Sequence, residues 1–255
     1  MNIRIVEASH GWRWIAQGAV LFRKNPSRWF LLIGILFIGS RVLLAIPLLG
    51  ILAVLLSPNF LAGLWHGAQA VEQDKPLRIG YLVSGFLKNA VHLVTIGGVS
   101  LVSNFLILMV ILMVAGDTIP AISKTMAGGT MTPEAMEAMR AAAPRIKMAL
   151  IVGLVVSLPF LMAVMYSPLL VFFDDQKPLR AMMLSLWACV KNVRALLVFG
   201  IAIIVPVMVM LPLSLASRQA DLGFWLLAPL IVPAMYASYR DLFVPDEVAE
   251  PPAVP

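Results

Sequence analysis

The stretch "FRKNPSRW" at residues 22–29 returns twice in altered form, as "FLKNAVHL" at 86–93 and "CVKNVRAL" at 189–196. Each time a Lys-Asn pair stands where a mixed polar and apolar stretch hands over to a long apolar one. The rest of the chain can be laid out around these three joints.

Composition sets the class. Of 255 residues, 61% are hydrophobic and 13% charged, against about 45–50% and about 25% in soluble domains. That is too little polar surface to cover a water-soluble globule, so the excess faces lipid. A bilayer core about 30 Å thick takes ~20 apolar helical residues. Residues 29–71 form one apolar block, interrupted by Arg41 and a turn signal at 46–50; it fits two spans, 29–46 and 48–70, or a re-entrant pair. Further runs at 90–115, 147–173, 194–217 and 222–240 bring the expected total to six spans. The fold class expected is all-α, a polytopic membrane protein. The first long apolar run begins near Trp29 without a small-residue cleavage pattern, so no cleavable signal peptide is expected.

The segment before each joint is amphipathic. In the second, Ile79, Leu82, Val83 and Phe86 share one side of a helix and Arg78, Ser84 and Lys88 the other. In the first, Trp14, Ile15, Gly18, Leu21 and Phe22 oppose Arg13, Gln17 and Lys24. The third, "PLRAMMLSLWACVK", is less regular, with Leu184 and Trp187 on its polar side. This pattern predicts short helices lying in the membrane interface. Lys24, Lys88 and Lys191 would close them, a cation meeting the negative end of each helix dipole. Asn25, Asn89 and Asn192 would each cap the next span by accepting first-turn amides, so that Asn89→Asp would be tolerated. The expected organisation is one membrane domain, 1–243, of three units at 9–71, 77–173 and 178–240, followed by a disordered acidic, Pro-rich cytoplasmic tail at 244–255. Pro58, Pro168 and Pro233 recur in the second span of each pair and predict three similarly bent helices, either a packing kink or the wall of a cavity.

Placing the joints in the cytoplasm puts 13 of the 19 Lys and Arg residues inside and 6 outside, so both termini are expected to be cytoplasmic. The net charge of +6 then reflects basic inner loops rather than nucleic-acid binding. The single cysteine, Cys189, excludes an internal disulfide.

The catalytic inventory is sparse. The 13 acidic residues lie outside the apolar runs or at their edges, unlike the buried carboxylates of ion-coupled carriers. No nucleophile–base pair or phosphate loop is visible, so neither an enzyme nor a cofactor is expected. His66 and His92 lack partners at metal-ligand spacing. Met126, Met131, Met136 and Met139 in the external 116–146 segment pose a copper(I) question, against the reading of Met as gap-filler. Arg41, inside a run, either snorkels or meets an anionic headgroup or a partner carboxylate. The residues expected to touch lipid headgroups or a partner are Lys24, Arg28, Arg41, Lys88, His92, Lys191 and Arg194.

The opening "GWRWIAQGAVLFRKNPSRW", the "SPNFLAGL" segment and "SPLLVFFDDQKPLRAMMLSLWACVKNVRALL" resemble a family of uncharacterised six-span inner-membrane proteins of proteobacteria. The repeated plan is more distantly similar to the membrane domain fused to some glycerophosphodiester phosphodiesterases, whose catalytic domain has no counterpart here. The resemblance implies an inner-membrane location and transfers no catalytic residue. The functional expectation is a scaffold, accessory subunit or lipid-organising protein contacting anionic membrane lipids and a membrane-protein partner. The alternative is a carrier or flippase-like protein for an amphipathic molecule.

Overall fold

The computed structural model describes residues 2–46, 49–116, 118, 133–217 and 221–244, and among them all regular structure is helical. In chain order the helices are α1 (His10–Lys24), α2 (Pro26–Leu44), α3 (Leu49–Glu72), a 3-10 turn (Ile79–Val83), α4 (Ser84–Leu87), α5 (Ala90–Ala115), α6 (Pro133–Met165), α7 (Ser167–Asp174), α8 (Pro178–Lys191), α9 (Val193–Val209), α10 (Leu211–Ala216) and α11 (Leu222–Phe243). The chain forms two compact units: Met1–Gly97 with Met162–Pro255, and Gly98–Leu161. The Met126 and Met131 part of the methionine cluster and the 245–255 part of the tail lie outside the described residues.

Five stretches among the described residues are long and apolar enough to cross a membrane: Pro26–Leu44, Leu49–Glu72, Ala90–Ala115, Met139–Asp174 and Leu222–Phe243. A sixth is reached when α8 and α9, bent by 89° at their junction, are taken together. The expected span at 194–217 is therefore interrupted. The chain leaves α9 at Met210 and restarts as α10, whose first turn carries Pro212.

In the first unit the core is made where small residues admit close approach. The buried side of α1 is Gly11, Trp14, Gly18 and Leu21. A Cβ on Gly18 would fall 2.6 Å from the Ala234 backbone of α11, so only glycine lets these two helices touch. Trp14 is fully buried and meets Phe199 of α9 edge to face, with ring centroids 5.6 Å apart. The apolar side of α1 thus faces α9 and α11 rather than lipid, a correction to the purely interfacial helix expected.

The second amphipathic segment is a 3-10 turn followed by one α-helical turn, not a continuous helix. It is pressed onto α3, with Gly63 against the Tyr81 and Leu82 carbonyls and Gly85 against Asn59. Asn59, wholly buried in α3, donates its side-chain amide to the Gly85 carbonyl at 2.9 Å.

The three prolines do not act alike. α3 runs through Pro58, and α11 through both Pro229 and Pro233. Only at Pro168 does a helix break, after Tyr166, whose amide is taken up by Ser185 Oγ at 2.9 Å. A break survives where a neighbour satisfies the freed backbone group.

Candidate functional site

Two of the joints lie against returning span ends of the first unit and are tied there by hydrogen bonds, while the third is tied to the N-terminal segment. Lys24 Nζ donates to the Asp74 carboxylate at 2.6 Å and to the Val71 carbonyl at 3.3 Å. Asn89 donates its amide to the Val171 carbonyl at 2.8 Å and the Asp175 carboxylate at 2.7 Å. Lys88 Nζ stands 3.3 Å from that same carboxylate and 5.5 Å from the Phe172 ring centroid.

Asp74 and Asp175 share a backbone peculiarity. Both are left-handed, with φ 57° and 53°, a conformation that short polar side chains tolerate better than most. Each turn closes helix-end carbonyls, Lys75 N–H reaching Ala70 at 2.8 Å and Gln176 N–H reaching Leu170 at 3.2 Å. The residue that ends the helix therefore also supplies the anion that fixes the joint cation. The Asn89 hydrogen bond holds the Asp175 carboxyl below the ordinary carboxylate range, against a smaller effect of burial and with help from Lys88.

The capping role expected of the three asparagines does not hold. Asn25 and Asn192 make no side-chain bond to the helix they precede, among the described residues. Their backbones, at φ −149° ψ 60° and φ −115° ψ 26°, lie off the extended geometry that aims a capping side chain at first-turn amides. Asn192, 2% exposed, donates to the Arg4 and Ala188 carbonyls at 3.0 Å each and accepts the Val6 amide at 2.8 Å. Asn89 is left-handed, φ 56°, and acts as a donor. The shared Lys-Asn lettering covers three unlike settings.

Between α1, the end of α3 and the end of α11 opens a cleft of about 490 Å³, lined by Arg4, His10, Arg13, Lys24, Glu72, Arg240 and Asp241 among others. Both lining carboxylates are engaged from within. Glu72 takes the Arg240 guanidinium and, at 2.9 Å, the Tyr236 hydroxyl. Asp241 takes His10 Nδ1 at 2.6 Å and the Trp14 indole N–H at 2.7 Å, with Arg4 Nη1 at 3.6 Å. Arg13 is exposed and reaches His10 Nε2 at 3.3 Å. Cations outnumber anions along the lining, and each carboxylate already accepts from internal donors, Arg4 and Arg240 among them. Such a surface suits an anion with several acceptor oxygens.

Of the expected contact residues, only Lys24 lines this cleft. Arg28 donates to the Leu77 carbonyl at 3.0 Å. Lys88 borders a separate cavity of about 410 Å³ with His66, Gln69 and Phe172. Half-buried His92 begins α5, while Lys191 and Arg194 are exposed around Asn192. Arg41 sits toward the far end of α2, where it pairs with Asp221 and lies 4.9 Å from the Phe37 ring centroid. Burial pushes the Asp221 carboxyl up, but hydrogen bonds from Arg41 and the Trp225 indole outweigh it and hold the group below its ordinary range. The carboxylate that Arg41 meets belongs to its own chain.

Sequence reading missed Glu72, Asp241, His10 and Tyr236 as a group. Their signal was the position of charges at the edges of apolar runs, which gives depth but not which run packs on which.

Several apolar helices long enough to cross a bilayer, with polar groups gathered at span ends, define a multi-pass membrane protein. A relative in Burkholderia thailandensis, named as a probable inner membrane protein, is 25% identical over 267 aligned residues covering 98% of this chain and 97% of its own. No family model matches the sequence, and no solved structure matches the chain. The distant likeness to a phosphodiesterase membrane domain gains no support from these comparisons.

Proposed function

We propose that this is a non-enzymatic lipid-organising protein of the inner membrane, which holds anionic phospholipid headgroups at its cationic end and has both termini in the cytoplasm. The observation that carries this reading is the cleft of α1, α3 and α11. There Arg4, Arg13, Lys24 and Arg240 face a space of about 490 Å³ whose carboxylates, Glu72 and Asp241, are occupied by internal donors. Orientation rests on the excess of Lys and Arg on the joint side. A carrier would need a polar path midway through the bilayer. The two polar-lined cavities described above sit at span ends, which favours the lipid-organising reading over the carrier.

The test is native mass spectrometry of protein extracted in mild detergent and supplied with phosphatidylglycerol or phosphatidylcholine. Phosphatidylglycerol should be retained preferentially, and Arg13→Gln with Lys24→Gln should weaken it roughly fivefold per cation removed, from ~1 kcal/mol each. Equal retention of both lipids would overturn the proposal. Orientation is read separately, in a Cys189→Ser background, because Cys189 is wholly buried and inert to reagents from either side. Leu87→Cys, at an 83% exposed position, should resist an impermeant thiol reagent in intact cells, while Gly129→Cys should react.

A further inference from the structure

The second unit contains a polar group in an apolar place. Asn104 lies on α5, the least buried of the candidate spans among the described residues, with 11% of its best membrane-spanning window buried. Counting along Ala90–Ala115, Asn104 falls within about 2 Å of the helix midpoint at ~1.5 Å rise per residue, hence at the centre of a bilayer core about 30 Å thick. Its side chain is exposed, and among the described residues it has no hydrogen-bond partner. The nearby serines behave differently: Ser103 is buried, 4% exposed, and Ser157 bonds back to the Leu154 carbonyl at 2.8 Å. An amide held in hydrocarbon without a partner is costly, and helix association is the ordinary remedy.

We infer that α5 associates with α5 of a second copy of this chain through Asn104. A carboxamide carries both a donor and an acceptor, so two asparagines related by a twofold axis satisfy each other. The twofold also guarantees that each partner brings its amide to the same depth, which an unrelated apolar helix would not do. Leu101, Leu108 and Leu112 flank Asn104 at helical spacing and fall within ~80° of it around the helix; Leu108 and Leu112 are 48% and 39% exposed. They would form the seam flanking the amide pair. Met113, 83% exposed, points about 180° away and stays in lipid. This inference uses the membrane-embedded reading of α5 and is independent of headgroup binding at the cleft.

The experiment is oxidative cross-linking in native membranes, with cysteine introduced singly into a Cys189→Ser background. Leu108→Cys should give a dimer band and Met113→Cys should not. In parallel, the mass of the purified protein in mild detergent should be that of a dimer, with Asn104→Leu about tenfold weaker in dimerisation and Asn104→Gln close to wild type. Both leucine and glutamine sit on the exposed face, so folding is unaffected. A monomer throughout, or equal cross-linking at positions 108 and 113, overturns the inference. So does a dimer indifferent to Asn104→Leu, or cross-linking at 108 to a different protein alone.

Discussion

Asp241 is the position whose removal tests the architecture of the polar end most directly. Its carboxylate receives the Trp14 indole N–H at 2.7 Å and His10 Nδ1 at 2.6 Å. Trp14 is fully buried, so Asp241→Ala strands a buried donor, at about 1–3 kcal/mol. The Arg4 contact, at 3.6 Å with the Arg4 side chain 44% exposed, adds at most ~1 kcal/mol. A total near 3 kcal/mol corresponds to a fall in Tm of about 6–12 °C for a chain of this size. Asp241→Asn keeps an acceptor for the indole and loses only charge, so it should cost about 1 kcal/mol. Thermal unfolding in mild detergent, followed by tryptophan emission, separates the two. The reasoning fails if Asp241→Ala lies within about 2 °C of wild type, or if the asparagine variant is the less stable.

Two more predictions follow from the same geometry. Asn89→Asp replaces an amide donor by a carboxylate 2.7 Å from that of Asp175, so it should destabilise the protein at neutral pH and be partly rescued by Asp175→Asn; a silent Asn89→Asp would restore the acceptor-cap reading. Asp221 has its carboxyl pKa lowered below the ordinary 3.8, so its pairing with Arg41 is fully present above that value and is lost as pH falls through the depressed one; unfolding scans from about pH 6 to about pH 3 should show a shallower acid limb for Asp221→Asn than for wild type.

The class of protein was legible because it depends on length and apolar content, which are local properties. Four of the expected runs reappear with little change as α2, α3, α5 and α11. What eluded sequence reading was the direction in which polar side chains point. Asn25, Asn89 and Asn192 look alike in the chain, yet their backbone angles differ and each side chain answers a different neighbour. The same applies to Trp14, whose amphipathic setting reads as interfacial until α9 and α11 are placed over it. Asp74 and Asp175 escaped notice because a left-handed helix end in a non-glycine residue leaves no clear mark in sequence. Arg41 was legible as an anomaly, while its partner, Asp221, lies 180 residues away.

The packing of α1 on α11 has a consequence in time. Helix α1 leaves the ribosome long before α11, which covers it, and the Arg4 amide is bonded to the carbonyl of Leu242 at 3.0 Å. At synthesis rates of about 5–20 residues per second, roughly 10–40 s separate the emergence of these two ends. Until α9 and α11 emerge, the Trp14 side of α1 has neither of these partners to cover it. An amphipathic helix can wait at the membrane surface, where its apolar side is already out of water. The interfacial character read from its sequence is then the property of a newborn chain, and the buried tryptophan that of a finished one.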